Sequence, residues 1–244
     1  MNPPLIPGHR PGGRLRTGTG GIAFFVLRHM QLILLLAVFA VFGALSPQFL
    51  TMHSARNIVI QAAPVGIIAV GMTFVLLTAG VDLSVGAIMF VAAAVGGKMA
   101  MAGQPAVLVF AAICAVGLAC GALNAIFIAW LRIAAFIVTL SLLFAGRGFA
   151  LWITQTQAMN LPEKFTELGA ARIAGVSVPV MVLGVIVAAG HMILTRTSFG
   201  RHVCAVGESQ NAARKAGVRV GRTIALVYVT SGVCAALGTV LLLG

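Results

Sequence analysis

Apolar residues occupy this chain in long, almost unbroken runs separated by short polar links, without the alternation of apolar and polar positions that marks a half-buried strand. Crossing a hydrocarbon core of about 30 Å as a helix takes roughly 20 apolar residues. Runs of this kind predict seven helices, over Met30–Leu45, Ile58–Thr78, Leu83–Met101, Ala106–Leu131, Ala134–Ile153, Val178–Leu194 and Thr223–Leu243. A membrane-spanning strand would alternate, so the expected fold is all-α, a polytopic transmembrane helical bundle rather than a barrel.

Composition strengthens this picture. Of 244 residues, 60% are hydrophobic and 8% charged, and the mean hydropathy is +1.09, more apolar surface than a water-soluble fold can hide. The net charge of +12 would suggest a nucleic-acid partner in a soluble protein. Here the basic residues flank apolar runs in two places, so orientation in the lipid membrane explains them better and no nucleic acid is expected. Residues 1–28 form a basic tail with Arg10, Arg14, Arg16 and Arg28 and no acid, which places the N-terminus in the cytoplasm. Six crossings later the chain returns to that side at residues 195–222, where Arg196, Arg201, Arg214, Lys215, Arg219 and Arg222 cluster. Arg132 also falls inside, and residues 155–177 fall outside with Glu163, Lys164, Glu167 and Arg172 nearly cancelling. Arg56 and Lys98 fall on the wrong side and are assigned to snorkelling at helix ends. The start superficially resembles a secretory leader. Arg28 and His29 divide its apolar stretch and many spans follow, which argues for an uncleaved first helix. Residues 29–244 are then one transmembrane domain, expected to be incomplete at its C-terminus because Gly244 follows an apolar run directly.

Little in the chain supports catalysis. No G-x-x-x-x-G-K-[ST], H-E-x-x-H or G-x-S-x-G occurs, and four acids in all make paired carboxylates improbable. Cys114, Cys120, Cys204 and Cys234 lack metal-ligand spacing and three of them lie in apolar runs, so they read as small hydrophobes and no metal or cofactor is expected. Polar residues inside spans are therefore the candidates. Asn124 needs a partner at depth, either another helix or the transported solute. Gly117 and Gly121 on the same run signal close helix packing. Thr139 and Ser141 can return their hydroxyls to their own backbone. Arg147 lies inside a predicted span, where it snorkels or faces a wet cavity. Trp130, Trp152 and Tyr228 are read as interfacial aromatics before ligand-stacking ones.

The polar loop Thr197–Thr223 carries a short helix with its own punctuation. Ser209 caps it, Glu208 sits near the positive end of its dipole, Arg214 and Lys215 fill its last turn and Gly217 stops it. Ala212, Ala213 and Ala216 give it a narrow smooth face. Docking into another protein and service as a solvated connector both fit these residues.

Three stretches, in order and spacing, resemble the ribose/xylose/galactose permease family, the membrane subunits of sugar-type ATP-binding-cassette (ABC) importers. They are AGVDLSVGAI, GALNAIFIAWLRIAAFIVTL and TSFGRHVCAVGESQNAARKAGV. The resemblance implies a permease in the inner (plasma) membrane that pairs as a dimer and takes a monosaccharide from a periplasmic binding protein. It further implies separate cytoplasmic ATPase subunits that bind the ATP, so the chain itself is not an enzyme. On that resemblance Gly200, Arg201, Gly207, Glu208, Ser209, Ala212, Ala213, Arg214 and Gly217 form the coupling loop to the ATPase. Asp82, Ser84, Asn124, Thr139 and Arg147 are the translocation or gating candidates. Ala134 and Ala135 stand where the family has paired prolines, so a softened kink is expected after Arg132. Family members also continue through further C-terminal spans. Two rivals are a proton-coupled secondary transporter using Asp82, and a truncated remnant that inserts without transporting.

Asp82 is the only aspartate. The runs on either side leave almost no loop, so it lies at or near the apex between two helices. One role is a cap, with Asp82 or Ser84 complementing the dipole of the next helix at the membrane boundary. The other is a submerged break whose polar groups line a pathway. The cap takes precedence, because pairing a submerged carboxylate needs a donor that the sequence does not identify.

Overall fold

The computed structural model describes residues 20–162, 165, 171–173 and 175–243. The tail arginines Arg10, Arg14 and Arg16, and Glu163, Lys164 and Glu167 of the long link, lie outside the described residues. The chain forms two compact units, Met1–Arg56 and Asn57–Gly244.

In the first unit, α1 (Gly20–Arg28) and α2 (Met30–Leu45) follow one another through His29. Residues 20–28, assigned to the basic tail from sequence, are thus helical, because GIAFFVL is itself an apolar run. The α2 helix has the bounds the hydropathy predicts. Leu50 folds back on Gly43, and Phe49 packs on Phe39 and Phe42. The third helix, α3 (Met52–Leu77), starts six residues before the predicted Ile58. Thr51 caps it by accepting the Ser54 N–H at 3.2 Å, which gives the polar His53–Arg56 turn a helical role that hydropathy alone cannot see.

The second unit is a helical bundle. Beyond α3 it contains α4 (Val85–Met101), α5 (Ala106–Ala125), α6 (Ala135–Thr154), α7 (Val178–Arg196), α8 (Ser198–Glu208), α9 (Gln210–Lys215) and α10 (Val220–Leu243). Two two-residue strands, β1 (Arg172–Ile173) and β2 (Val176–Ser177), pair antiparallel ahead of α7. They are a small addition to the expected all-α fold. Among the described residues five helices are long and apolar enough to span a membrane, and α2 and α4 are shorter apolar ones. The protein is a polytopic helical membrane protein.

The most buried span is α10, and glycine is the reason. Its Gly232 lies so close to Gly117 of α5 that a Cβ on either would collide with the other's carbonyl oxygen. Gly121, one turn on, meets the Tyr228 carbonyl and the Val229 backbone. The G-x-x-x-G spacing thus brings two backbones into contact, the geometry that drives helix association where apolar burial gives no preference over lipid. Gly71 of α3 approaches Ser231 and Cys234 on another side of α10. Gly66 and Gly190 let α7 lie against α3 through Leu183 and Val70. On α6, Gly146 touches Ala87 of α4.

After α5 the helix widens into a π turn, Ile126–Trp130. The chain then reverses at Arg132, whose φ of 57° is left-handed, and Ala134 leads extended into α6. The left-handed residue makes the reversal, so the prolines absent at Ala134 and Ala135 are not needed for it.

Candidate functional site

The segment between α3 and α4 builds the site. At the end of α3 the Gly80 N–H reaches the Val75 carbonyl and the Ala79 N–H the Leu76 carbonyl. This is a Schellman closure with Ala79, at φ 56°, in the left-handed position usually given to glycine. Gly80 serves a different need: a Cβ there would stand 2.9 Å from the Tyr228 hydroxyl oxygen. Close approach, not backbone freedom, requires a glycine at this point.

The chain then passes through Val81 and Asp82 into α4. One oxygen of the Asp82 carboxylate accepts the Ser84 N–H at 3.0 Å and the Ser84 hydroxyl at 2.5 Å. The other oxygen accepts the Ser231 hydroxyl from α10 at 2.8 Å. Ser84 in turn accepts from the Asn124 amide nitrogen at 2.8 Å, which ties in α5. Tyr228, three residues before Ser231 on the same face of α10, donates to the Val81 carbonyl at 3.1 Å. Asp82, Ser84, Asn124, Ser231 and Tyr228 are each 2% exposed or less, so these bonds form away from water. Desolvation makes such a cluster expensive unless its members satisfy one another. Asn124 Oδ1 is buried without a partner among the described residues.

Cap and buried network thus coincide in one residue. Asp82 holds the first N–H of the α4 entry while being bound laterally to α10. Ser84, the other candidate cap, makes no capping bond with its own side chain. The donor that sequence reasoning could not supply is Ser231, and Tyr228 is its neighbour. Tyr228 is buried rather than interfacial, whereas Trp130 and Trp152 are largely exposed. The signal for both was their shared face: Tyr228 and Ser231 are hydrogen-bonding positions three apart on a largely apolar helix. Replacing Tyr228 by phenylalanine is expected to lower stability by about 1 kcal/mol, the net worth of one hydrogen bond. A urea or thermal midpoint in detergent measures it.

Thr139 and Arg147 stand apart from this cluster. Thr139 is fully buried and returns its hydroxyl to the Ala135 carbonyl at 2.8 Å. Arg147 is exposed on the outer side of α6.

The polar loop forms two helices. Thr197 caps α8 by accepting the Gly200 N–H at 3.2 Å, and Gly200 itself lies against the Leu194 backbone with no room for a Cβ. Arg201 donates to the Ser198 hydroxyl at 2.8 Å. Gly207 sits directly on the Leu77 carbonyl, the last residue of α3, in contact that also excludes a Cβ. Phe199 stacks on Phe74 of α3 with ring centroids 6.2 Å apart, and Val203 joins Phe74, Val75, Val227 and Tyr228 in one cluster. The loop is therefore seated on the end of α3, five residues before Asp82.

The punctuation of α9 is as the sequence predicts. Ser209 caps it by accepting the Ala212 N–H at 3.3 Å, and Gly217, at φ 82°, ends it. Glu208, Ala212, Arg214 and Ala216 are exposed. Ala213 instead packs inward against Val206 and Val220, so the alanine face is split between a buried and an exposed side. Removing the cap with Ser209→Ala is expected to lower stability by about 1 kcal/mol, read as faster amide exchange in α9.

A bundle of apolar helices around a buried polar junction, with a polar loop packed on one end, is the build of a transport subunit. Residues 54–243 match the family described as branched-chain amino acid transport system / permease component, and the chain belongs to that family. It is 33% identical to the ribose import permease protein of Escherichia coli K12 over 222 residues, covering 89% of this chain and 69% of that protein. Identity is 34% to the galactofuranose transporter permease protein of the same strain, over 86% of this chain and 64% of the relative. To its D-allose transport system permease protein it is 33%, over 89% and 68%. The chain thus spans about two thirds of the length of these relatives. No solved structure matches it.

Proposed function

We propose that the chain is the membrane-spanning permease subunit of an ABC importer in the inner membrane, moving a monosaccharide delivered by a periplasmic binding protein. A second permease copy completes the pathway, and cytoplasmic ATPase subunits bind the ATP. The seating of α8 on the last residue of α3 carries this reading. An ATPase bound to the exposed side of α9 has a direct route through Gly207 and Leu77 to the turn that holds Asp82. ATP binding would then bias an equilibrium between outward-open and inward-open states. The relatives' names support a sugar as cargo, and the orientation with N-terminus and α8–α9 in the cytoplasm follows from the arginines at residues 195–222.

Cysteine cross-linking tests the docking face. In a background with the four native cysteines replaced, Ala212→Cys in the assembled importer is expected to cross-link to the ATPase, with a yield that changes on adding ATP. Ala213→Cys, buried in this fold, is expected not to. No cross-link from Ala212→Cys in a transport-competent complex would contradict the assignment.

A further inference from the structure

Four arginines from three stretches of chain line one cavity of about 700 Å³: Arg132 from the α5–α6 reversal, Arg214 from α9, and Arg219 and Arg222 at the entry to α10. No carboxylate is among its lining residues. Orientation in the membrane accounts for arginines at this end of the bundle, but not for their convergence on one concavity. Guanidinium groups stay charged at every accessible pH, so four around one hollow favour an anion between them.

One further feature points the same way. Arg222 lies in the first turn of α10, which contains no acid. That turn is the positive end of the helix dipole, where a cation is disfavoured and an anion favoured. A bound multivalent anion offsets both the converging guanidinium charges and the dipole at this helix end. Arginine's planar fork matches phosphate oxygens two at a time.

We propose that this cavity binds a phosphate group, carried either by a lipid headgroup at the membrane face or by a soluble phosphorylated compound. Its lining also includes Tyr228 and Thr78, Ala79 and Gly80, the turn that leads to Asp82. Occupancy therefore bears on the α3–α4 junction. The proposal is independent of what the protein transports.

The test uses the full chain in neutral detergent, with the thermal midpoint followed against inorganic pyrophosphate, phosphatidylglycerol or phosphatidylcholine. The midpoint is expected to rise with pyrophosphate or phosphatidylglycerol and not with phosphatidylcholine. A response to phosphatidylglycerol alone assigns a lipid headgroup, and a response to pyrophosphate assigns a soluble phosphate. Arg132→Gln/Arg222→Gln is expected to weaken the response about tenfold or more. The control Arg196→Gln/Lys215→Gln removes equal charge from residues that do not line the cavity and is expected to leave the response intact. Arg132→Lys/Arg222→Lys keeps the charge and loses the fork, so an intermediate weakening is expected even if the glutamine pair does not fold. No response in the unmodified chain, or equal loss in the cavity and control variants, would overturn the proposal.

Discussion

Asp82→Ala is expected to lower the stability of the bundle by about 2–4 kcal/mol, read as a fall in the unfolding midpoint in detergent. The variant removes one acceptor shared by three donors, the Ser84 N–H, the Ser84 hydroxyl and the Ser231 hydroxyl. A stranded buried donor costs about 1–3 kcal/mol. The hydroxyls recover part of the loss by turning to their own helix backbones, whereas the Ser84 N–H has no such recourse. Asp82→Asn is the informative companion. Its amide oxygen still accepts from Ser84 and its nitrogen can donate to a reoriented Ser231 hydroxyl, so stability is expected to stay within about 1 kcal/mol. Transport is nevertheless expected to fall at least tenfold, a loss equivalent to about 1.4 kcal/mol in the rate-limiting barrier. Normal specific activity in Asp82→Asn would reduce the residue to a helix cap.

The second large effect is expected at Gly207. A side chain there collides with the Leu77 carbonyl, and backbone cannot yield as the far end of a side chain can. Gly207→Leu is expected to lift α8 from α3 at a cost of about 1–3 kcal/mol. ATP-driven transport should be lost while the remaining spans still insert. Proteolysis within residues 197–217 should accelerate. Unchanged protection together with unchanged transport would show that α8 does not bear on α3.

Hydropathy read the spans well because lipid imposes one requirement, a continuous apolar length, on every crossing helix. The bounds of α2 are the predicted ones, and α4 starts two residues after the predicted Leu83. Capping escaped it: α3 begins at Met52 because Thr51 supplies a side-chain bond, and His53, Ser54 and Arg56 are polar. Local punctuation was also legible, since Ser209 and Gly217 act within a few residues of their own positions. Long-range polar pairing was not. Asp82 and Ser231 are 149 residues apart, and nothing local to either names the other. The inward turn of Ala213 escaped for the same reason, because Val206 and Val220 decide it. The left-handed reversal at Arg132 was not legible either, since such a non-glycine residue leaves no mark in the sequence.

The most direct measurement is uptake of radiolabelled monosaccharide into proteoliposomes holding the complete permease with its ATPase, with and without binding protein, ATP and an uncoupler. Uptake that requires ATP and binding protein and ignores the uncoupler is the predicted result. Uptake that collapses with the uncoupler, yet needs neither ATP nor binding protein, would contradict the ABC assignment and move Asp82 to the role of proton carrier.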